Sequence, residues 1–387
     1  MLTIRTGGEF GKAVHSDHLE RWLGKDQVDR LTLAMKDWYG PPIALKGVPG
    51  AVYANRGGDF VGSLKAGQEV SALDHADMLV RRMARAFRRT AHAHAHQLRL
   101  QAGFASLSDL IAEATAGKRQ EFPFQKVGPT GVANSSHTLW RLGNSPAAGT
   151  TPSAAPGGNA TTSATTGGFP YNNPTAGDTL HFVSGYPMAS VAGNTLLLYD
   201  RLFHVAKTIN STATEAVTGV PTRYQNTTAG QPDSIAGNFL FMEVGATALA
   251  NTAHNHTVCT YTDQTGAAST LPSLAGNPGA VATISDRLDM PVNTWYAPLE
   301  TGDTGIKALT QMQTSALVAT GTLYFVIGHP IAWMPCPIAN LVCVVDGINT
   351  AFNLARIFDN ACLSFLEVIK PSVTATTYNG SFTAVAG

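Results

Sequence analysis

Charge is scarce in this chain: Asp, Glu, Lys and Arg together make up 13% of its 387 residues, about half the share expected of a soluble domain. So few charges leave a monomer poorly protected against association. A surface largely buried between subunits is therefore expected; a secreted, Thr-rich β-protein is the alternative that is also charge-poor. Cysteine is scarce as well. Cys259, Cys336, Cys343 and Cys362 are too few and too scattered for a disulfide framework. They read as small buried hydrophobes of a protein folded in a reducing cytoplasm. Nowhere do about 18 apolar residues follow one another, and the N-terminal segment lacks the apolar core of a signal peptide. Neither membrane spanning nor secretion by the usual route is expected.

Catalytic signatures are missing too. There is no Gly-x-Ser-x-Gly elbow, no phosphate loop ending in Lys-Ser/Thr, no His-Glu-x-x-His and no Cys-x-x-Cys. Pro335-Cys336-Pro337 isolates one thiol among Trp333, Met334 and Ile338, which suits a packed turn better than a reactive site. No enzyme activity, resident metal or cofactor is expected.

What the chain does contain is organised around residues 142–177, 36 residues without one acid or base and rich in Gly, Ala, Pro, Ser and Thr. Such a composition cannot bury a core of its own, so its order is expected to come from a neighbouring copy. Pro146, Pro152, Pro156, Phe169 and Tyr171 are its candidate inter-subunit residues. The stretch follows a change in charge. Residues 1–126 hold 18 of the 26 basic and 13 of the 26 acidic residues, leaving residues 127–387 mildly acidic within a chain of zero net charge.

In chain order, residues 1–69 read as an arm with short helices in which Leu19, Trp22 and Leu23 share one face and Val28, Leu31, Met35 and Trp38 another. Residues 70–126 carry the strongest expected helix. Ser71 and Asp74 make a capping-box-like start, no Gly or Pro intervenes before Gly103, and Leu73, Ala76, Val80, Met83, Phe87, Ala91 and Leu98 form a stripe. At roughly 30 residues it would run about 45 Å. Its other face bears Arg81, Arg82, Arg85, Arg88, Arg89 and Arg99, cations spaced to neutralise phosphates without reading sequence; a solvated face or pairing with a neighbour's acids is the plainer reading. A second helix is expected from Ser106 to Gly117.

Residues 127–178 form the neutral extension and 179–387 a β-rich body. Short β-branched and aromatic runs at 179–184, 194–199, 238–244, 257–261, 322–327 and 339–345 lie between turn-forming clusters. A helix is expected between Leu202 and Thr218. Another from Asn349, or a hairpin turning at Asp359 and Asn360, follows. The last residues read as a strand or a tail. Two histidine groups stand out. His92 and His96 lie one helical turn apart, without a third ligand nearby. His254 and His256 alternate onto one strand face with Cys259 expected on the other, a spacing that points to structure more than ligation.

The constellation of arm, Arg-bearing helix, neutral extension and a β-rich body containing Trp295-Tyr296-Ala297-Pro298 and Gly321-Thr322-Leu323-Tyr324-Phe325-Val326-Ile327 resembles a virion structural protein of a tailed bacteriophage, above all a major capsid protein. The resemblance implies an α+β capsid fold and self-assembly into an icosahedral shell in the virion, after synthesis in the host cytoplasm. Its implied partners are further copies of the chain, packaged double-stranded DNA held non-specifically and other virion proteins, with no membrane. A β-sandwich or jelly-roll body with a helical N-terminal extension is the alternative fold. A decoration, tail or other filament-forming β-protein is the alternative role, and a secreted β-sandwich binding carbohydrate or a receptor is the alternative of a different class.

Overall fold

The computed structural model describes residues 52–54, 60–63, 104, 106–276, 285–348 and 354–387. Two compact units divide the chain, residues 1–95 and 96–387. In the first, β1 (Val52–Ala54) and β2 (Phe60–Ser63) pair as an antiparallel hairpin. The expected long helix, with Arg81, Arg82, Arg85, Arg88, Arg89 and Arg99, lies outside the described residues, as do His92 and His96.

The second unit overturns the expected α+β capsid-type fold. Strands take 42% of the described residues and helix 4%, in antiparallel sheets with one short helix. That helix, α1 (Leu107–Glu113), is the one expected from Ser106. The Ser106 side chain accepts from the Asp109 N–H, and a π-helical turn at 114–118 releases the chain at Gly117, whose φ of +88° favours glycine. The strands follow in order: β3 (Arg119–Val127), β4 (Ser135–Thr138), β5 (Asn159–Ala160), β6 (Leu180–Ala189), β7 (Asn194–Thr208), β8 (Glu215–Ala216), β9 (Phe239–Val244), β10 (Asn255–Asp263) and β11 (Ala268–Thr270). After these come β12 (Leu274–Ala275), β13 (Ile306–Thr314), β14 (Thr322–Cys336), β15 (Val345–Asp346), β16 (Arg356–Ile357), β17 (Leu363–Lys370) and β18 (Thr377–Ala386).

A six-stranded sheet of order β4-β17-β7-β14-β9, with β5 beside the far end of β7, lies at the centre. Residues 285–290 form a strap across its two edges. Leu288 bridges Glu243 of β9 while Arg287 bridges His137 of β4, so the sheet nearly closes into a barrel and its edges are covered. A second sheet runs β15-β6-β18-β3 and a third β11-β10-β13-β8.

Strand β7 shows why the expected helix at 202–218 does not form. Leu196 and Leu198 enter one core cluster with Phe122, Phe182, Phe365 and Phe382 from β3, β6, β17 and β18. Leu197, Tyr199, Phe203 and Val205 enter another, with Phe241, Phe325, Tyr261 and Leu309 from β9, β14, β10 and β13. A strand buried on both faces reads as an unbroken apolar run, which periodicity cannot tell from a buried helix. Here pairing with the equally long β14 along the whole strand decides it. At the C-terminal end, residues 349–353 lie outside the described residues, and no helix runs on from Leu354. The chain turns at Asp359 and Asn360, with Asn360 at φ +58°, but the flanking strands join different sheets, β16 with β6 and β17 with β7. Residues 377–386 form β18, between β6 and β3.

Candidate functional site

The most conspicuous surface follows β14. Pro337 has no N–H to continue the ladder, and the segment 337–344, Pro-Ile-Ala-Asn-Leu-Val-Cys-Val, leaves the sheet in place of the expected strand. Ile338, Leu341, Val342 and Val344 are 56%, 54%, 51% and 62% exposed. Two main-chain hydrogen bonds hold the segment, from the Asn340 N–H to the Ala189 carbonyl and from the Cys343 N–H to the Pro187 carbonyl. The apolar surface continues up β14 through exposed Trp333, whose ring meets Trp295 edge-on at 5.2 Å, and Trp295 leads to exposed Tyr296 at 4.6 Å. No charged residue lies between Trp333 and Val345. A run of four large aliphatic side chains in solvent is unlike the scattered single exposures of an ordinary monomer surface.

The neutral stretch is fastened to its own subunit. β5 pairs with β7, the Ala155 N–H donates to the Ala206 carbonyl, the Ala206 N–H donates to the Ser153 carbonyl, and the Phe169 N–H donates to the Leu363 carbonyl. Phe169 is buried in the second core cluster, edge-on to Phe365 and Phe382. The Tyr171 hydroxyl donates to the Phe358 carbonyl at 2.6 Å and accepts from the Ala361 N–H. Pro146 and Pro152 are buried and Pro156 is exposed. These contacts fasten Phe169 and Tyr171 within their own subunit.

Inside the unit lie charges that sequence reasoning did not single out. Arg201 donates to both oxygens of Glu243, at 2.6 and 3.2 Å, and its guanidinium sits 4.6 Å from the Trp140 ring centre. Burial and that guanidinium push His204 down to about 2. Arg223 makes a two-pronged contact with Asp200 at 2.7 and 2.8 Å, and Asp200 also accepts from the Cys362 N–H. Glu367 accepts from the Tyr378 hydroxyl at 2.5 Å, with Lys370 and His137 beside it. Burial pushes the Asp286 carboxyl up to about 6 despite Arg141, whose Nε donates to it at 3.1 Å. These groups are almost wholly enclosed, so they hold strands together and offer no reactant a way in. The signal available in the sequence was Asp200-Arg201 inside an apolar run: charges there must find partners, but nothing local says which.

One cluster differs in kind. His254, just before β10, and His256 within it point to the same side as Asp289 of the strap. Both Nε2 atoms approach Asp289 Oδ2, at 2.7 and 3.0 Å, and all three residues are buried. Burial opposes charge on both partners. Their mutual hydrogen bond prevails, holding His254 above its ordinary value and the Asp289 carboxyl well below the carboxylate range. Cys259 does not face away as strand alternation predicts. A register shift between His256 and Val258 changes the parity, and Cys259 is buried in the first core cluster. The cysteines are all free; Cys259, Cys336 and Cys362 are buried, and burial pushes each thiol up to about 12.

Among the described residues no helix is long and apolar enough to cross a membrane. No family model, curated protein or solved structure matches the chain.

Proposed function

We propose that this chain is a structural protein that acts by binding copies of itself, as a coat subunit of a bacteriophage virion around double-stranded DNA. The observation that carries the reading is the uncharged, exposed segment 337–344 with Trp333. Those four side chains are each 51–62% exposed, so covering them is worth roughly 1 kcal/mol apiece, a drive to associate. The occupant is a second copy. A net charge of zero divided between a basic residue 1–126 portion and an acidic remainder makes copies complementary to each other. In a symmetric particle each modest contact is repeated many times, so avidity holds the whole. The role does not depend on the tailed-phage capsid fold; a β-built subunit can close a shell or a tube. Arg81, Arg82, Arg85, Arg88, Arg89 and Arg99 would supply the DNA-facing charge, and other virion proteins would dock on the finished surface.

The test replaces Leu341 and Val344 in the full chain, Leu341→Glu with Val344→Lys. Both side chains already stand in solvent, so the subunit should fold as before. Electron microscopy and light scattering should find particles for the unaltered chain and free subunits for the double variant. Particles unchanged by the two charges would reject this surface as the contact. Exposed Trp333 and Tyr296 favour one competing reading, a carbohydrate-binding β-protein, which requires a free monomer that binds oligosaccharide.

A further inference from the structure

We propose that His254, His256 and Asp289 form a binding site for a single zinc-class divalent cation, which braces the barrel-closing strap against β10. The three side chains converge from two segments that are remote in sequence, and one ligand atom from each lies within 4.8 Å of the other two. Two imidazole nitrogens and a carboxylate oxygen are the donor set that zinc and its neighbours prefer over calcium or magnesium.

The hydrogen-bond directions point the same way. His254 Nδ1 lies 2.9 Å from the Thr252 carbonyl oxygen, which can only accept, so the proton sits on Nδ1. Nε2 then meets Asp289 Oδ2 at 2.7 Å as the second N–H of an imidazolium, and a cation bound there takes the place of that proton. His256 Nε2 reaches the same oxygen at 3.0 Å and the Asp289 carbonyl oxygen at 3.1 Å, so it too carries a proton that a bound cation displaces. A cation among the three atoms replaces both protons and turns the hydrogen-bonded cluster into a coordination site. A carbonyl that fixes Nδ1–H while Nε2 binds metal is the usual outer support of a ligating histidine.

The surroundings are built for it. A Cβ on Gly276 would stand 2.4 Å from His254 Nε2, so only glycine leaves this side of the ring open. Tetrahedral zinc with bonds near 2.0 Å separates its ligand atoms by about 3.3 Å, so the two His–Asp separations of 2.7 and 3.0 Å widen by a few tenths of an ångström on binding. Arg287, buried two residues from Asp289, adds a positive charge. That disfavours purely ionic binding and favours a metal whose bonds to imidazole are partly covalent. Three protein ligands leave the fourth tetrahedral position to a water, and the burial of all three suits an ion that braces the fold.

The experiment uses the full chain, stripped with a chelator and then titrated with zinc chloride. Bound metal is counted by elemental mass spectrometry and stability is followed by thermal unfolding. About one zinc per chain is expected, with Tm higher by about 5 °C at a hundredfold excess over Kd. His256→Gln and Asp289→Asn should each lose both effects. Cobalt in the unaltered protein provides a readout that needs no variant: visible absorption bands of a four-coordinate ion are expected. A stripped protein that takes up no zinc, cobalt without those bands, or variants that keep the metal and the Tm shift would each overturn the proposal.

Discussion

Replacing Phe169 by alanine tests whether residues 142–177 belong to their own subunit. The ring is 2% exposed and sits among Phe122, Phe365 and Phe382 at centroid distances of 6.2, 5.3 and 5.0 Å, each edge-on. Removing a buried phenylalanine costs about 3–5 kcal/mol, the upper part applying where neighbours cannot collapse into the void. Rings held by strands β3, β17 and β18 cannot move far, and the edge-to-face contacts add to the loss. The hydrogen bond from the residue 169 N–H to the Leu363 carbonyl survives in Phe169→Ala, so the loss reports the side chain. A destabilisation of about 4 kcal/mol follows, near 8 °C in Tm for a unit of this size. Thr151→Ala, exposed in the same stretch, should stay within about 0.5 kcal/mol of the unaltered chain. Denaturant unfolding at two protein concentrations tenfold apart is the assay. Because the contact is internal, the loss should be the same at both. A loss below about 1 kcal/mol, or one present only where subunits associate, would refute the placement.

Two further outcomes follow from the buried charges. Glu243→Ala strands the Arg201 guanidinium at 0% exposure, and chemical denaturation should show about 3–5 kcal/mol lost. Asp286, raised to about 6 in the folded chain, binds its proton more tightly folded than unfolded, so its ionisation opposes folding. Its contribution is most favourable at acid pH and declines as pH rises through about 4 to 6. Asp286→Asn should therefore gain about 2–3 kcal/mol relative to the unaltered chain between pH 4 and pH 7, and a pH-independent difference would show that the carboxyl is not perturbed.

Much of the β-body was legible in the sequence, because the runs around Leu180, Phe239, Val258 and Phe325 carry β-branched and aromatic residues between turn formers. The failures have two physical sources. One is burial on both faces: at Leu202 to Lys207 no alternation remains to distinguish strand from helix, and only pairing with β14 settles it. The other is distance along the chain. Nothing near His254 announces Asp289, 35 residues on, nor does Arg201 announce Glu243 across the barrel. Propensity favours a strand for the apolar run at 339–345, yet of it only Val345 pairs in a ladder, with β6, while Leu341, Val342 and Val344 stay in solvent. The neutral stretch was legible as a segment without a core of its own. Its anchors, Phe169 and Tyr171, were visible too, but which body they anchor to was not.

The mass of the purified, unaltered chain under native conditions tests the assembly role most directly. Native mass spectrometry or light scattering should find a large multiple of 40.7 kDa, in a particle that repeats one subunit contact through residues 337–344. A single species at 40.7 kDa that persists as protein concentration is raised would contradict it.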